Sequence, residues 1–278
     1  AINNNVFNLK NIEVGNYINL LEEFCNNNSV EIIKSTEVKK ILTQDNSVTG
    51  VQLNNGEIFE STCVISNTDP KTTYLNLLGA EILDTDFIRR TKNFRNKGNV
   101  AKLELVFEND ININGVDNNM YGKFIYAPNI KYIEHAFNAN KYNKYSENPC
   151  LEFYVNKNIL SANVYYVPHL TNSNHQENEI IKKCISVLSK FIPDMQISKE
   201  KLITPNAMGV KYNVAGGHWH HGDLEIDQLL MMRPFYGSAQ YSTPINGLYI
   251  CSAGTHPGGG LTGINGINAA KKVMEDLK

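Results

Sequence analysis

Two stretches of this chain carry residue types that could do chemistry. One is Gly254-Thr255-His256-Pro257-Gly258-Gly259-Gly260-Leu261-Thr262-Gly263. Glycine has no Cβ and tolerates positive φ, so such a loop can lie flat against a planar or phosphorylated ligand. Ile264, Ile267, Val273 and Leu277 follow at helical spacing and predict a helix whose start offers free N–H groups and a partial positive charge. The apolar run 248–251, bounded by glycine, predicts a buried strand leading into the loop. Gly258, Gly260 and Gly263 formally spell G-x-G-x-x-G. The dinucleotide fingerprint, however, needs a strand entering directly and a second strand with an acid ~20 residues on. Here His256-Pro257 intervenes and a single helix follows. A strand, turn and helix with no ligand is the alternative that the pattern leaves open.

The other stretch is Gly217-His218-Trp219-His220-His221-Gly222-Asp223-Leu224-Glu225. His218, His220 and Glu225 have a spacing that in a cupin barrel would supply two imidazoles and a carboxylate to a metal. The run of short barrel strands that such a site needs is missing. The expected site therefore contains no metal, and the histidines read as surface groups or as the lining of a cleft. Arg233, just before Pro234, could hold a carboxylate or pair with an internal acid such as Asp227, the structural pairing being the default. No Ser-His-Asp order, paired catalytic carboxylates or nucleophile elbow supports a hydrolase.

The elements that must position these residues follow from periodicity. Tyr17, Ile18, Leu21 and Phe24 predict an amphipathic helix over 14–24. Strands are expected over 30–33, 37–43, 48–53 and 57–59, the last two joined by the turn signal Asn54-Asn55-Gly56, with a short buried strand over 63–65. Asp69-Pro70 reads as the cap and first residue of a helix over 71–78. A short helix over 86–92 and a strand over 100–107 come next. The region 121–167 is rich in Tyr and Phe and predicts a sheet over 151–155 and 162–167, whose aromatics form core or wall an apolar cavity. Ile180, Ile181, Cys184, Val187, Leu188 and Phe191 predict a second amphipathic helix closed before Pro193. A short helix is expected over 227–232.

Composition narrows the partners. The 278 residues carry 26 Lys and Arg against 28 Asp and Glu, a net charge of −2, which leaves no basic surface for nucleic acid. Five dispersed cysteines without a C-x-x-C fit isolated thiols in a reducing, cytoplasmic compartment. No apolar run approaches the ~18 residues of a membrane span, and the polar start Ala1-Ile2-Asn3-Asn4-Asn5 lacks a signal-peptide core. A first residue other than Met suggests a fragment, a processed form or a trimmed chain.

From residue 207 onward, Gly216-Gly217-His218, Asp227-Gln228-Leu229, Met232-Arg233-Pro234, Tyr241-Ser242-Thr243-Pro244-Ile245 and Ala253-Gly254-Thr255-His256-Pro257-Gly258-Gly259-Gly260 occur in order. Together they resemble the end of the phytoene-desaturase-related FAD oxidoreductases, and most of all the pyridine nucleotide-disulphide oxidoreductase domain-containing protein 2 branch. The resemblance implies a mixed α/β, two-lobe fold of the FAD-dependent amine-oxidase and phytoene-desaturase kind, without its N-terminal Rossmann βαβ unit. Residues 1–75 and 235–278 would form an incomplete flavin-binding lobe, and 76–234 an aromatic-rich substrate lobe.

It further implies FAD as cofactor, contacted by Val38, Gly254, Thr255, His256, Gly263, Ile264 and Asn265, with His218 as the catalytic candidate. The reaction implied is hydride transfer to or from a small apolar substrate, polyene or lipid-like. A missing N-terminal segment or a homo-oligomeric partner would complete the fold. The alternatives are a non-catalytic, flavoprotein-like binding or assembly module and a metal enzyme using the histidines.

Overall fold

The computed structural model describes residues 14–116, 123–169 and 173–278. The asparagine run at 3–5 and Tyr121 lie outside the described residues. The chain opens with helix α1 (Val14–Asn27), and residues 30–33, expected as a strand, follow in irregular conformation. Their Val30, Ile32 and Ile33 side chains are exposed. Strands β1 (Val38–Gln44), β2 (Ser47–Leu53) and β3 (Ile58–Glu60) form an antiparallel meander. The turn before β3 is held by Gly56 N–H donating to the Leu53 carbonyl at 3.0 Å.

Strand β4 (Val64–Ser66) leads to Asp69, whose carboxylate accepts from the N–H groups of Lys71 and Thr72 at 2.9 and 3.2 Å. This is the expected cap, and the helix it starts widens into a π-helix over Thr72–Gly79. Helix α2 (Thr85–Asn93) is capped by Asp84.

The middle of the chain builds a five-stranded antiparallel sheet from β5 (Val100–Phe107), β6 (Phe124–Tyr126), β7 (Cys150–Asn156), β8 (Ile159–Tyr165) and β9 (Ile197–Ile203). Its order is β6-β7-β8-β5-β9. Alternation puts Leu103 and Leu105, Leu160 and Val164, and Leu151 and Phe153 on one face, because successive strand residues point to opposite sides. Helix α3 (Ile130–Lys141) precedes β7, and α4 (Asn174–Leu188) lays Ile180, Ile181, Cys184, Val187 and Leu188 on that face. The aromatics divide: Phe124 stacks on Phe153 with ring centres 5.3 Å apart and both pack with Phe191 and Tyr126 in this cluster, whereas Phe137, Tyr142 and Tyr154 are exposed.

Helix α5 (Pro205–Tyr212), capped by Thr204 with Pro205 in its first turn, delivers the chain to the histidine loop. In place of the expected short helix, two 3₁₀ turns, Ile226–Gln228 and Leu230–Met232, are separated by an extended Leu229. Strand β10 (Leu248–Ile250) is fully buried and pairs in parallel with β4, and α6 (Ile264–Asp276) closes the chain. Of the residues whose spacing predicted α6, Val273 is buried and Ile264, Ile267 and Leu277 are exposed; Asn265 and Ala269 make up the rest of the inward face.

A second core gathers Ile41, Val48, Tyr74, Leu78, Ile245, Leu248 and Ile250 around β10. Among the described residues no helix is long and apolar enough to cross a membrane.

Candidate functional site

The glycine loop lies between β10 and α6 and is folded over its own polar side chains. Thr255, fully buried, donates its hydroxyl to the Ser252 carbonyl at 2.7 Å, and Gly254 N–H donates to the Ser252 hydroxyl at 3.1 Å. Asn265, on the first turn of α6, donates its amide to the carbonyls of Ser252 and Thr255 at 2.9 and 3.1 Å and reaches the Thr255 hydroxyl at 2.9 Å. These two side chains therefore shape the loop from inside. The His256 carbonyl accepts from the Tyr241 hydroxyl, which in turn accepts from Asn268 at 2.8 Å, while the buried His256 Nδ1 has no partner among the described residues.

The loop's glycines divide into two kinds. A Cβ on Gly254 would stand 2.5 Å from Pro70 Cδ and one on Gly259 2.5 Å from His220 Nδ1, so those positions are closed by protein. Gly260 and Gly263 have φ of +141° and +66°, and no atom stands within 4 Å of where their Cβ would sit. Gly263 is also the N-cap of α6 and brings no side-chain cap; the Ile264 N–H donates to the Thr262 hydroxyl at 3.4 Å. Ile264 is the first helical residue beside it.

The histidine loop packs directly against this structure. Gly216 and Gly217 follow α5 with positive φ, and a Cβ on Gly217 would meet the Pro205 carbonyl oxygen at 1.8 Å, so the backbone approach that sets His218 requires glycine. His218 Nδ1 accepts from His220 N–H at 3.2 Å, and its Nε2 lies 3.6 Å from the Asp223 carboxylate. Burial first, then neighbouring His220 and Arg233, pushes the His218 pKa down to about 4. Burial likewise lowers His220 and His221 and raises Asp223. At neutral pH the loop thus presents neutral imidazoles, with His218 Nδ1 occupied by the His220 N–H and Nε2 turned to Asp223. The histidines and Glu225 are not gathered into a metal-ligating group; none exists among the described residues.

Arg233 joins the two loops, and not as the sequence suggested. Asp227 pairs instead with Arg95, in a bidentate contact of 3.0 and 2.6 Å. Arg233 is completely buried and donates to the carbonyls of His220 (2.6 Å), Gly222 (3.2 Å), Asp223 (3.0 Å), Gln228 (3.2 Å) and Ala253 (2.9 and 3.1 Å). Gln228, also buried, bonds both backbone groups of Arg95 and so anchors the same turn. Arg95, Gln228 and Tyr241 were not singled out from sequence as site residues, because each acts on backbone carried by distant segments.

Of the residues expected to hold a cofactor, Gly254, Thr255, His256, Gly263, Ile264 and Asn265 therefore fall in one strand–loop–helix unit, and the loop carrying His218 is tied to it by Arg233, which bonds the His220 and Ala253 carbonyls. Val38 lies at the start of β1 opposite Leu53 and shares no hydrogen bond with that unit among the described residues.

The fold has a counterpart among solved structures. The chain superimposes on an oxidoreductase from Methanosarcina mazei with a TM-score of 0.50 at 14% identity, covering 94% of this chain and 54% of that one. No protein-family model matches the chain. Its relatives in sequence are more particular. The pyridine nucleotide-disulfide oxidoreductase domain-containing protein 2 of Mus musculus is 26% identical over 272 residues, 88% of this chain and 47% of the mouse protein. The phytoene desaturase (lycopene-forming) of Pseudescherichia vulneris is 24% identical over 266 residues, 89% of this chain and 52% of that protein. The chain is a homologue of both and spans about half the length of each.

Proposed function

We propose that this chain is the C-terminal portion of an FAD-dependent oxidoreductase that transfers hydride to or from a small apolar, polyene or lipid-like substrate. The observation that carries the reading is the open side of the glycine loop. Gly260 and Gly263 hold positive-φ backbone where a Cβ would project into empty space, beside the start of α6. Glycine adopts that backbone without strain and, lacking a Cβ, leaves the loop surface free for a close-lying ligand. The loop and the α6 N-terminus would hold the ribityl–pyrophosphate side of FAD, with Gly254, Gly263 and Ile264 offering backbone, Thr255 and Asn265 fixing loop shape, His256 at the rim, and Val38 backing the adenine side. Bound flavin supplies a hydride acceptor, so the protein needs to supply position, electrostatics and water exclusion. His218, kept neutral by burial beside the loop, is the catalytic candidate of this reading.

In this reading residues 1–75 and 235–278 make up the flavin lobe and 76–234 the substrate lobe. The exposed apolar faces of α1 and α6 are completed by further polypeptide, an N-terminal segment or a second copy.

Flavin fluorescence quenching on adding the purified chain tests the proposal. FAD binding that is lost in Gly260→Val, while the thermal unfolding midpoint still shows a folded protein, is the expected result. Retention of FAD by a folded Gly260→Val variant would remove the loop as its site.

A further inference from the structure

Arg233 is the bulkiest fully buried side chain among the described residues, and every hydrogen bond it donates goes to a backbone carbonyl. The carbonyl dipoles satisfy its donors, but no carboxylate hydrogen-bonds to it among the described residues. The acid whose field it feels is Asp223, but that carboxylate is turned to Arg95 Nε at 3.7 Å and His218 Nε2 at 3.6 Å, and among the described residues no carboxylate forms an ion pair with Arg233. Burial lowers the guanidinium to about 10, which keeps it charged at neutral pH, while the three surrounding imidazoles are held neutral.

A buried charge without a counter-ion is costly, and a protein keeps one where an opposite charge arrives. The place of arrival is adjacent. A Cβ on Gly258 would stand 3.7 Å from Arg233 Nε, and Gly260 and Gly263, next along the same loop, face open space.

We propose that Arg233 is the buried counter-charge for an anion seated on the loop 258–263, besides positioning the histidine loop against it. The loop then selects a phosphate-bearing or otherwise anionic ligand over its neutral equivalent. The identity of that ligand as a flavin rests on the function proposed above; its charge does not. A staple role alone would need the donors of Arg233 but not its charge. Lysine separates the two, because it keeps the charge and reaches fewer carbonyls.

The test uses FMN and riboflavin, which differ by one phosphate, together with FAD and inorganic pyrophosphate. Affinities are read by fluorescence and, for pyrophosphate, by thermal shift. The wild-type chain is expected to prefer FMN to riboflavin by on the order of tenfold, and the preference shrinks as salt is raised. Arg233→Met should abolish the preference and Arg233→Lys restore part of it, whereas Asp223→Asn, which removes the opposing charge, should widen it.

Equal loss of both flavins in Arg233→Met, or an unchanged ratio, overturns the proposal. If that variant does not fold, a wild-type preference indifferent to salt and to Asp223→Asn overturns it equally. Stabilisation by pyrophosphate without any flavin binding would uphold the anion seat and sink the flavin reading. No response to pyrophosphate, FMN or FAD would sink both.

Discussion

The five-stranded sheet and the region around β10 solve the same problem differently. In the sheet, each strand's alternating apolar residues meet either a neighbouring strand's or α4, and the inward positions of β5, β7 and β8 are closed to solvent. Around β10 the buried side is equally tight, with Leu248 and Ile250 inaccessible, yet the periphery stays apolar and uncovered. In α1, Ile18, Leu21 and Phe24 are 56%, 48% and 67% exposed, and Ile65 of β4 is 46% exposed. Strands in parallel sheets are ordinarily covered on both faces. β4 and β10 form a parallel pair with no third strand among the described residues. The sheet closes its own core; in the β4–β10 pair, β10 is buried and Ile65 of β4 stays exposed.

That contrast can be broken most sharply at Leu103, fully buried in the sheet core. Leu103→Ala should cost about 2–5 kcal/mol in urea unfolding, and a loss under ~1 kcal/mol would mean the sheet core is looser than its packing.

The site between the two regions has its own signature in pH. His218 titrates near 4 in the fold against 6.5 ordinarily, so the unfolded chain binds more protons between those values. Stability is then full above about pH 6.5 and falls as pH drops towards 4, by no more than about 3 kcal/mol from this residue. His220 and His221 act in the same direction, and Asp223, raised by burial, opposes them at the acid end. His218→Asn should flatten the unfolding midpoint between pH 7 and pH 4; an equally steep profile would assign the dependence elsewhere.

The smallest effect is expected on α1. Phe24→Ser should change stability by less than ~0.5 kcal/mol, as exposed positions do. It should also reduce self-association in size-exclusion chromatography if that face meets a partner.

Most of the fold could be read from local pattern. The 54–56 turn, the Asp69 cap, β5 and α4 all stand where alternation, turn chemistry and helical spacing put them, because each is decided by residues within a few positions of one another. The strand over 30–33 failed for the converse reason: an apolar run becomes a strand only beside another strand, and none pairs with it among the described residues, Val30 N–H turning back to the Cys25 carbonyl at 3.0 Å. In α6, of the apolar spacing Ile264, Ile267, Val273 and Leu277, only Val273 is buried. Asn265 turns inward there, since its amide satisfies three groups of the glycine loop, and Ala269 and Val273 follow it by periodicity.

By itself the sequence determined the hairpin and capped helix near the start, β5, β7, β8 and α4 of the middle region and the strand, glycine loop and helix at the end, since propensity, capping and alternation are local, whereas β6, α3, β9 and α5 appeared only in the structure. Only the tertiary structure decided that Arg233 binds carbonyls rather than Asp227, that His218 is held neutral, and which glycines of the loop are closed by Pro70 and His220 and which remain open. Those outcomes depend on desolvation and on contacts between segments far apart in the chain, and no spacing along the chain encodes them.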